Sequence, residues 1–540
     1  MLLVHIFYLF LVKSILVHSE SFTSTTHLTN LFNTEVELFN QLDSYLKDEY
    51  ERLDRIEKYV NIIKEEIRQA QDKEEIYFGN PVNAYLFIKH LTVDWYGIEE
   101  IVYHGISKTM GDNYLFPSYE DYTGSAVALM RLQDTYKLNT SEVANGEIST
   151  NYKSRKLTAL ECYDLGRIAY TNGDYYHTLM WMQEALDHLD KETNNTSLSK
   201  VDILDHLAFA TSQQGNHEHA LAVTEEILRI APDHIRARNN KAYYEDLLRN
   251  KTLSGDLDSS DLKSILTVKK LDNVQIKNQR PRDYLEEREI YEQLCRQNGS
   301  KMNAKREAKL FCRYRHNNHP YLILRPAREE QLLDEPVVYL FHNIISDNDI
   351  QVIKDLALPR LQRAVLRRAV IQNPKTAQLE PADYRVSKSA WLRNDESPVI
   401  ARLSRLIEAL TNLSMATAED LQIANYGVGG HYEPHFDFAR KTEKDAFSSF
   451  GAGNRIATWL TYLSDVEKGG ATVFIPTGGY VKPEKGSAVF WYNLFASGEG
   501  DYTTRHAACP VLIGNKWVGN KWIHERGQEF RRRCSLDPMA

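Results

Sequence analysis

Asn425 to Phe438, NYGVGGHYEPHFDF, is the stretch that decides how this 540-residue chain reads. It sits among short β-rich runs that begin near Glu335: VVYLF, LQIANYG, RIATWLTYL, ATVFI, SAVFWYNLF and NKWVGNKWIHE. Glycine turns divide them, as in GVGG, GAG, KGG and TGG. Many short strands between glycine turns predict a double-sheet jelly roll, a double-stranded β-helix, with a helix over roughly Ser346 to Ala357 ahead of it. Residues two apart on a strand face the same side, so His435 and Asp437 can hold one metal ion together. The bare pattern is weak, because His188-Leu189-Asp190 repeats it. That copy falls in a predicted helix, where a two-residue step turns the side chains about 200° apart. It is expected to be a solvated helix face.

Two histidines and one carboxylate leave positions open on iron(II) for O₂ and an oxoacid. The second histidine must come from a distant strand, and after residue 437 only His506 and His524 remain. His506, in GDYTTRHAACPVLIGNKW, lies between strand-like runs and suits the role. An oxoacid also needs a cation for its far carboxylate. Lys516 and Lys521 are available. Five residues apart on one strand, they face opposite ways, so only one points into a barrel, and the pattern does not choose between them.

The composition is that of soluble globular protein, 42% hydrophobic and 26% charged, and the length calls for several domains. A net charge of -9 disfavours a nucleic-acid partner. Residues 1–19, MLLVHIFYLFLVKSILVHS, read as a secretory signal, and no later stretch is long and apolar enough to span a membrane. A lumenal or secreted protein is expected. Sequons at Asn139, Asn195, Asn250, Asn298 and Asn412 are compatible with that route. In an oxidising compartment, Cys295–Cys312 and Cys509–Cys534 are the simplest disulfides, with Cys162 a buried free thiol.

The first half is helical. Leu38, Leu42, Leu46, Leu53, Ile56, Val60, Ile63 and Ile67 step by threes and fours with one gap at Glu49, the seam of a coiled coil that needs a partner helix. Two units, Leu165–Leu186 and Leu207–His234, each set a glycine turn (Gly173, Gly215) between helices, the tetratricopeptide pattern. Stacked helix pairs form a concave groove for peptides, which Tyr170, Tyr175, Tyr176 and Tyr243 are placed to line. Residues 250–285 turn polar and read as a linker. The expected domains are 1–19 signal, 20–145 helical dimerisation, 146–248 peptide binding, 249–285 linker and 286–540 catalytic.

The C-terminal half resembles the α subunits of collagen prolyl 4-hydroxylases. The resemblance rests on NYGVGG-x-YEPHFDFAR, NRIATWL, GGATVF, AVFWYNLFASGEGDY, TRHAACPVL and NKW-x-HERGQEFRR. It extends upstream through FGNPVNAYLFIKHL, LMRLQDTYKLNT and YYHTLMWMQEAL, nearly the whole mature chain. It implies that His435, Asp437 and His506 bind iron(II), and that Lys516 anchors 2-oxoglutarate with help from Tyr426 and Thr472. It implies O₂ as the other co-substrate, ascorbate as the reductant that rescues oxidised iron, and collagen-like peptides hydroxylated at C4 of proline. The cysteine pairs above match those of the family. The resemblance further implies a peptide groove at Asp205, Phe209, Arg236, Asn240 and Tyr243, and an α₂β₂ tetramer with protein disulfide isomerase in the endoplasmic reticulum lumen.

Three departures stand out. His431 replaces a glutamine and is expected on the same strand face as His435, with Glu433 between them. Phe209 and Ser212 replace tyrosines of the peptide groove. The chain ends DPMA, without a lysine-aspartate-glutamate-leucine retention signal, so retention is expected to come from the partner. The rival readings are a lumenal hydroxylase of lysine or non-collagen proline, and a collagen-binding chaperone with a dead oxygenase domain.

Overall fold

A computed structural model describes residues 25–103, 118–149, 152–192, 198–253, 276–363, 385–443, 447 and 451–539. The expected signal at 1–19 and Asn195 lie outside them. Among the described residues no helix is long and apolar enough to cross a membrane.

The chain divides into two compact units. The first contains α1 (Thr25–Ala70), a 46-residue helix. Leu38, Leu42, Leu46 and Leu53 along its apolar seam stay exposed, as a helix awaiting a partner would leave them. The second unit begins with residues 72–92, which hold α2 (Pro81–Lys89), capped by Asn80, whose side chain accepts from the Val82 amide. The chain then returns to the first unit for α3 (Trp95–Tyr103), whose Ile101 carbonyl accepts from Arg52 of α1.

The rest of the second unit opens with α4 (Tyr119–Tyr136), started by a Ser118/Asp121 capping box. Two antiparallel hairpins follow, α5 (Ala159–Thr171) with α6 (Tyr175–Leu189), and α7 (Lys200–Gln213) with α8 (His217–Ile230), and then α9 (Ile235–Leu253). Gly173 and Gly215 turn the hairpins at φ 73° and 83°, where a side chain would be strained. The apolar core does not break at the expected 145/146 junction. Val82, Leu86, Leu129 and Leu132 pack in one cluster with Leu165, Trp181 and Leu207, and the Trp181 indole donates to Gln133 of α4 at 2.9 Å. His188 is not a solvated face but is buried, bonded to the Leu157 carbonyl and Glu184. The second H-x-D pattern is thus a packing feature.

Both described ends of the expected linker are ordered. Its first residues continue α9, and residues 276–287 are docked. Lys277 and Asn216 exchange backbone-to-side-chain hydrogen bonds, Asn278 donates to the Tyr176 carbonyl, and Arg280 bridges Asp134 of α4 to Glu292. Glu292 lies on α10 (Arg288–Gln297).

The β domain follows. Its first strands are β1 (Cys312–Arg315), β2 (Ala327–Asp334) and β3 (Val337–His342). Then come α11 (Asp347–Ala357), β4 (Gln362–Arg363), β5 (Lys388–Leu392), α12 (Pro398–Thr411), β6 (Leu421–Tyr426) and β7 (Tyr432–His435). After these run β8 (Arg455–Tyr462), β9 (Lys468–Gly469), β10 (Thr472–Phe474), β11 (Gly479–Val481) and β12 (Ala488–Tyr492). The last are β13 (His506–Ala508), β14 (Val511–Ile513) and β15 (Lys516–His524).

A nine-stranded sheet in the order β1-β2-β3-β12-β8-β15-β6-β5-β4 faces a four-stranded sheet, β11-β10-β13-β7, with every pairing antiparallel. This is the expected jelly roll. Alternation along the strands separates the layers. Leu340, Tyr426, Tyr462, Trp491 and Val518 of the large sheet meet Phe474 and Val481 of the small one. Trp459, Trp517, Ile523 and Ile423 face the other way, against Ile353 of α11 and Ile400 and Leu403 of α12. Tyr291 and Leu294 of α10 cover the outside of the small sheet at Val473 and Ala507.

That last contact corrects the expected disulfides. Cys295, on α10, is bonded to Cys509 just past β13, with Cα atoms 5.6 Å apart. Cys312 and Cys534 are exposed free thiols, so neither local pair forms. Proximity in sequence misled: α10 lies across the small sheet, whereas Cys312 starts the edge strand of the large sheet. Cys534 sits in the tail that bonds back to Ala496. Cys162 is buried and free, as expected.

Candidate metal centre and co-substrate pocket

β7 and β13 pair so that His435 stands opposite His506. From there the register slips. Ala508 faces Tyr432, so three residues of β7 span two of β13. This is a bulge at Glu433–Pro434, and it shifts the facing of every residue before it. Tyr432 and His435 therefore share the inner face, their rings stacked with centroids 3.5 Å apart. Glu433 turns outward to Arg288 of α10 and to Tyr284. The expectation that His431, Glu433 and His435 share a face is overturned. His431 is buried, its backbone bridged to Val386, and burial together with Arg131 and Arg288 drives its imidazole well below the usual histidine range.

Among the described residues, one cluster of metal-binding type is present: His435, Asp437 and His506, with ligand atoms within 4.8 Å of one another. His435 Nε2 is 3.8 Å from Asp437 Oδ1, and His506 Nε2 is 3.6 Å from Oδ2. Ligands about 2.1 Å from one ion can be at most about 4.2 Å apart, so these spacings admit a single metal. Each ring donates its Nδ1–H to a backbone carbonyl, His435 to Glu433 at 2.7 Å and His506 to Thr504 at 2.9 Å. That fixes the tautomer with the Nε2 lone pair free for a metal. Burial pushes the Asp437 carboxyl up, but His506, His435, Arg455 and a hydrogen bond from Thr458 outweigh it and hold the pKa at about 2. Thr458 Oγ1 donates to Oδ2 at 2.7 Å, and Asn493 donates to Thr458 at 2.9 Å. Two imidazoles and one ionised carboxylate suit iron(II) with open positions.

The same barrel holds Lys516, at the start of β15 and directly opposite Tyr426 of β6. Its ammonium lies 5.4 Å from the Tyr426 ring and 5.9 Å from the Tyr462 ring. It is fully buried, its Nζ has no hydrogen-bond partner, and burial lowers its pKa to about 7. An orphaned buried ammonium is what a carboxylate would satisfy. Thr472 bonds the Tyr462 hydroxyl at 2.9 Å across the two sheets. Lys521 is buried too, on the opposite face with Trp517 and Ile523, where burial, against the pull of Asp420 and Glu419, lowers its pKa to about 8. Strand phase, with the contacts to Tyr426 and Tyr462, thus puts Lys516 rather than Lys521 inside the barrel.

Beside Asp437, Phe436, Phe438 and Tyr502 form an aromatic cluster with centroids 5.0–5.6 Å apart. A cavity of about 410 Å³, lined in part by Phe438, Arg440 and Tyr502, opens there.

In the helical repeat, Tyr170, Tyr175 and Phe209 meet edge to face at 5.6–6.0 Å. Arg236 joins them, bonded to Asp205 at 2.7 Å and to the Tyr170 hydroxyl at 2.6 Å. Asn240 and Tyr243 follow Arg236 at i+4 and i+7, on one face of α9, and Tyr243 is exposed. Tyr176 is half-buried, its phenol raised by burial and by nearby Asp134. Ser212 is buried against His217 and so does not offer a groove hydroxyl.

Sequence reasoning missed Thr458, Asn493 and Tyr462. A signal was present for two of them, since Thr458, Leu460 and Tyr462 alternate inward along RIATWLTY.

Three family models match: the N-terminal region of the prolyl 4-hydroxylase α subunit over 24–150, the prolyl 4-hydroxylase peptide-substrate-binding domain over 159–250, and the 2OG-Fe(II) oxygenase superfamily over 421–524. The chain is 48% identical over 534 residues to prolyl 4-hydroxylase subunit alpha-1 of Homo sapiens, covering 97% of each. This chain belongs to the collagen prolyl 4-hydroxylase α-subunit family. Subunit alpha-2 of Caenorhabditis elegans is 45% identical, over 97% of this chain and 94% of its own. Among solved structures, the viral collagen prolyl hydroxylase of Paramecium bursaria Chlorella virus 1 overlaps 34% of this chain and 94% of its own at 23% identity, with a TM-score of 0.28, and adds no weight. A prolyl 4-hydroxylase α subunit is a 2-oxoglutarate-dependent dioxygenase using iron(II), and the barrel's donor set and orphaned lysine fit those two groups.

Proposed function

We propose that this subunit hydroxylates C4 of proline in X-Pro-Gly collagen-like peptides, with 2-oxoglutarate and O₂ as co-substrates. The observation that carries the reading is the pairing, in one barrel, of the His435–Asp437–His506 cluster with a fully buried, partnerless Lys516 ammonium. His435, Asp437 and His506 hold the iron. Lys516 pairs with the far carboxylate of 2-oxoglutarate, and Tyr426, Tyr462 and Thr472 line that end of the site. When bound, iron(II) supplies the redox chemistry that splits 2-oxoglutarate and O₂ into succinate, CO₂ and the oxygen placed on proline. The chain's own residues prepare for it. The Glu433 and Thr504 carbonyls keep both Nε2 lone pairs free, and Thr458 aims the Asp437 carboxylate, which His506, His435 and Arg455 chiefly hold ionised. Ascorbate serves as the family's reductant. Tyr170, Tyr175, Phe209, Asp205, Arg236, Asn240 and Tyr243 dock the extended, proline-rich substrate, whose fixed backbone suits an aromatic groove. Tyr176, half-buried beside them on α6, extends the same groove. The partner is protein disulfide isomerase in an α₂β₂ tetramer, and the site of action is the endoplasmic reticulum lumen.

The test is incubation of a Pro-Pro-Gly repeat peptide with purified complex, iron(II), 2-oxoglutarate and ascorbate, read by mass spectrometry. Gain of one oxygen per modified proline is expected, and its loss in His435→Ala and Asp437→Ala. Full activity in either variant refutes the assignment.

A further inference from the structure

We propose that Arg288, with Tyr284, is a positioning residue for His435, acting through Glu433. The proposal rests on the reading of His435 as a metal ligand. Glu433 has two separate duties. Its carbonyl accepts the His435 Nδ1–H at 2.7 Å and so sets the ring's tautomer and direction. Its carboxylate, turned outward by the bulge, is gripped by the Arg288 guanidinium at 2.5 Å and by the Tyr284 hydroxyl. The carboxylate is buried, and the Arg288 side chain is only 14% exposed. A buried carboxylate whose partner is removed must find water or another cation, so losing Arg288 forces Glu433 to move. The bulge leaves residues 433–434 unpaired with β13, so the side-chain grip is what holds the Glu433 carbonyl under His435.

Arg288 is itself braced. Asp283 receives its Nε at 2.8 Å, and its guanidinium lies over the Tyr284 and Tyr291 rings at 5.9 Å each. α10 is fastened to the small sheet by the Tyr291 hydroxyl, which donates to the Ala508 carbonyl at 2.9 Å. Tyr284 and Asp283 end the docked segment that Asn278 and Lys277 tie to α6 and to Asn216. The grip on the metal strand is therefore built from the end of the connection between the helical repeat and the barrel and from the first turn of α10, neither of which holds a ligand of its own.

Cobalt(II) titration of the assembled complex tests this, with binding and the visible absorption of the bound ion as readouts. Arg288→Met is expected to weaken cobalt binding about 10–100-fold, the usual effect of removing an outer support of a metal ligand. It should also alter the absorption band, lower kcat and leave the peptide KM unchanged. Arg288→Lys should restore part of the affinity, and Tyr284→Phe should show a smaller loss in the same direction. If Arg288→Met does not fold, the pair Arg288→Met/Glu433→Gln removes the stranded charge, and it should fold yet still bind cobalt weakly. Wild-type affinity and absorption in the double variant and in Tyr284→Phe overturn the proposal. His435→Ala separates the two failures. If it binds cobalt normally, the ligand assignment falls; if it does not while the Arg288 and Tyr284 variants do, only the positioning role falls.

Discussion

Replacing Lys516 with methionine should make the co-substrate-free protein more stable and the enzyme worse. The ammonium is fully buried, has no hydrogen-bond partner, and titrates at about 7 against an ordinary 10.5. The folded state thus binds its proton less tightly than the unfolded state does. The resulting cost is complete below pH 7, fades as pH rises from 7 to 10.5, and vanishes above. At pH 7.5 the two pKa values give a cost of about 4 kcal/mol, and at pH 9 about 2 kcal/mol. Methionine fills similar space without the charge, so Lys516→Met should recover much of this. For a domain of this size that is roughly 5–10 °C in Tm at pH 7.5, and about half as much at pH 9. 2-Oxoglutarate should reverse the order by supplying the missing carboxylate, raising the wild-type Tm far more than that of Lys516→Met. Loss of a charged hydrogen bond of about 1.5–3 kcal/mol should raise the variant's KM for 2-oxoglutarate about 10–150-fold. Lys521→Met is the control. It removes the other buried lysine of β15, on the outer face, and should leave that KM unchanged. Thermal unfolding followed by tryptophan fluorescence, to which Trp459, Trp491, Trp517 and Trp522 of the barrel contribute, checks the stability half. A Lys516→Met protein no more stable than wild type at pH 7.5, or equally stabilised by 2-oxoglutarate, refutes the reasoning.

Thr458→Val removes the hydroxyl that donates to Asp437, and should weaken iron(II) binding about 10-fold or more in a competitive chelator titration. Arg236→Ala breaks the link among Asp205, Tyr170 and Phe209. It should raise the peptide KM about 10-fold while peptide-independent 2-oxoglutarate turnover stays at the wild-type rate, which separates groove from barrel. The pair Leu42→Asp/Leu46→Asp places charge on the exposed seam of α1. It should lower the assembled mass measured by light scattering while hydroxylation of short peptides persists.

What the sequence made legible was periodic or punctuated. Leucine spacing gave α1, Gly173 and Gly215 gave the helical hairpins, and glycine-bounded β runs gave the two sheets. His506 was reachable because few histidines follow residue 437. What stayed hidden depends on long-range packing. The Cys295–Cys509 bond exists because α10 crosses the small sheet, 214 residues from its partner in sequence. The Asn493–Thr458–Asp437 relay joins three strands or strand ends that share no local pattern. The docking of residues 276–287 is invisible to a rule that equates polar with loose.

The facing of His431 and Glu433 is different, because a local signal for it was there. Strict two-residue alternation placed both beside His435, yet Pro434 stands in the middle of that run. Proline cannot donate to a ladder, and within sheets it is found at edges and bulges. β7 is the edge strand of its sheet and bulges at Glu433–Pro434. Weighing Pro434 would have broken the alternation one residue before His435. Tyr432 would then go inward and Glu433 outward, leaving the metal cluster with three ligands. The same slip frees the Glu433 carboxylate to meet Arg288 while its carbonyl stays with His435. A single extra residue both empties the metal's surroundings of a competing carboxylate and gives a distant helix a handle on the ligand.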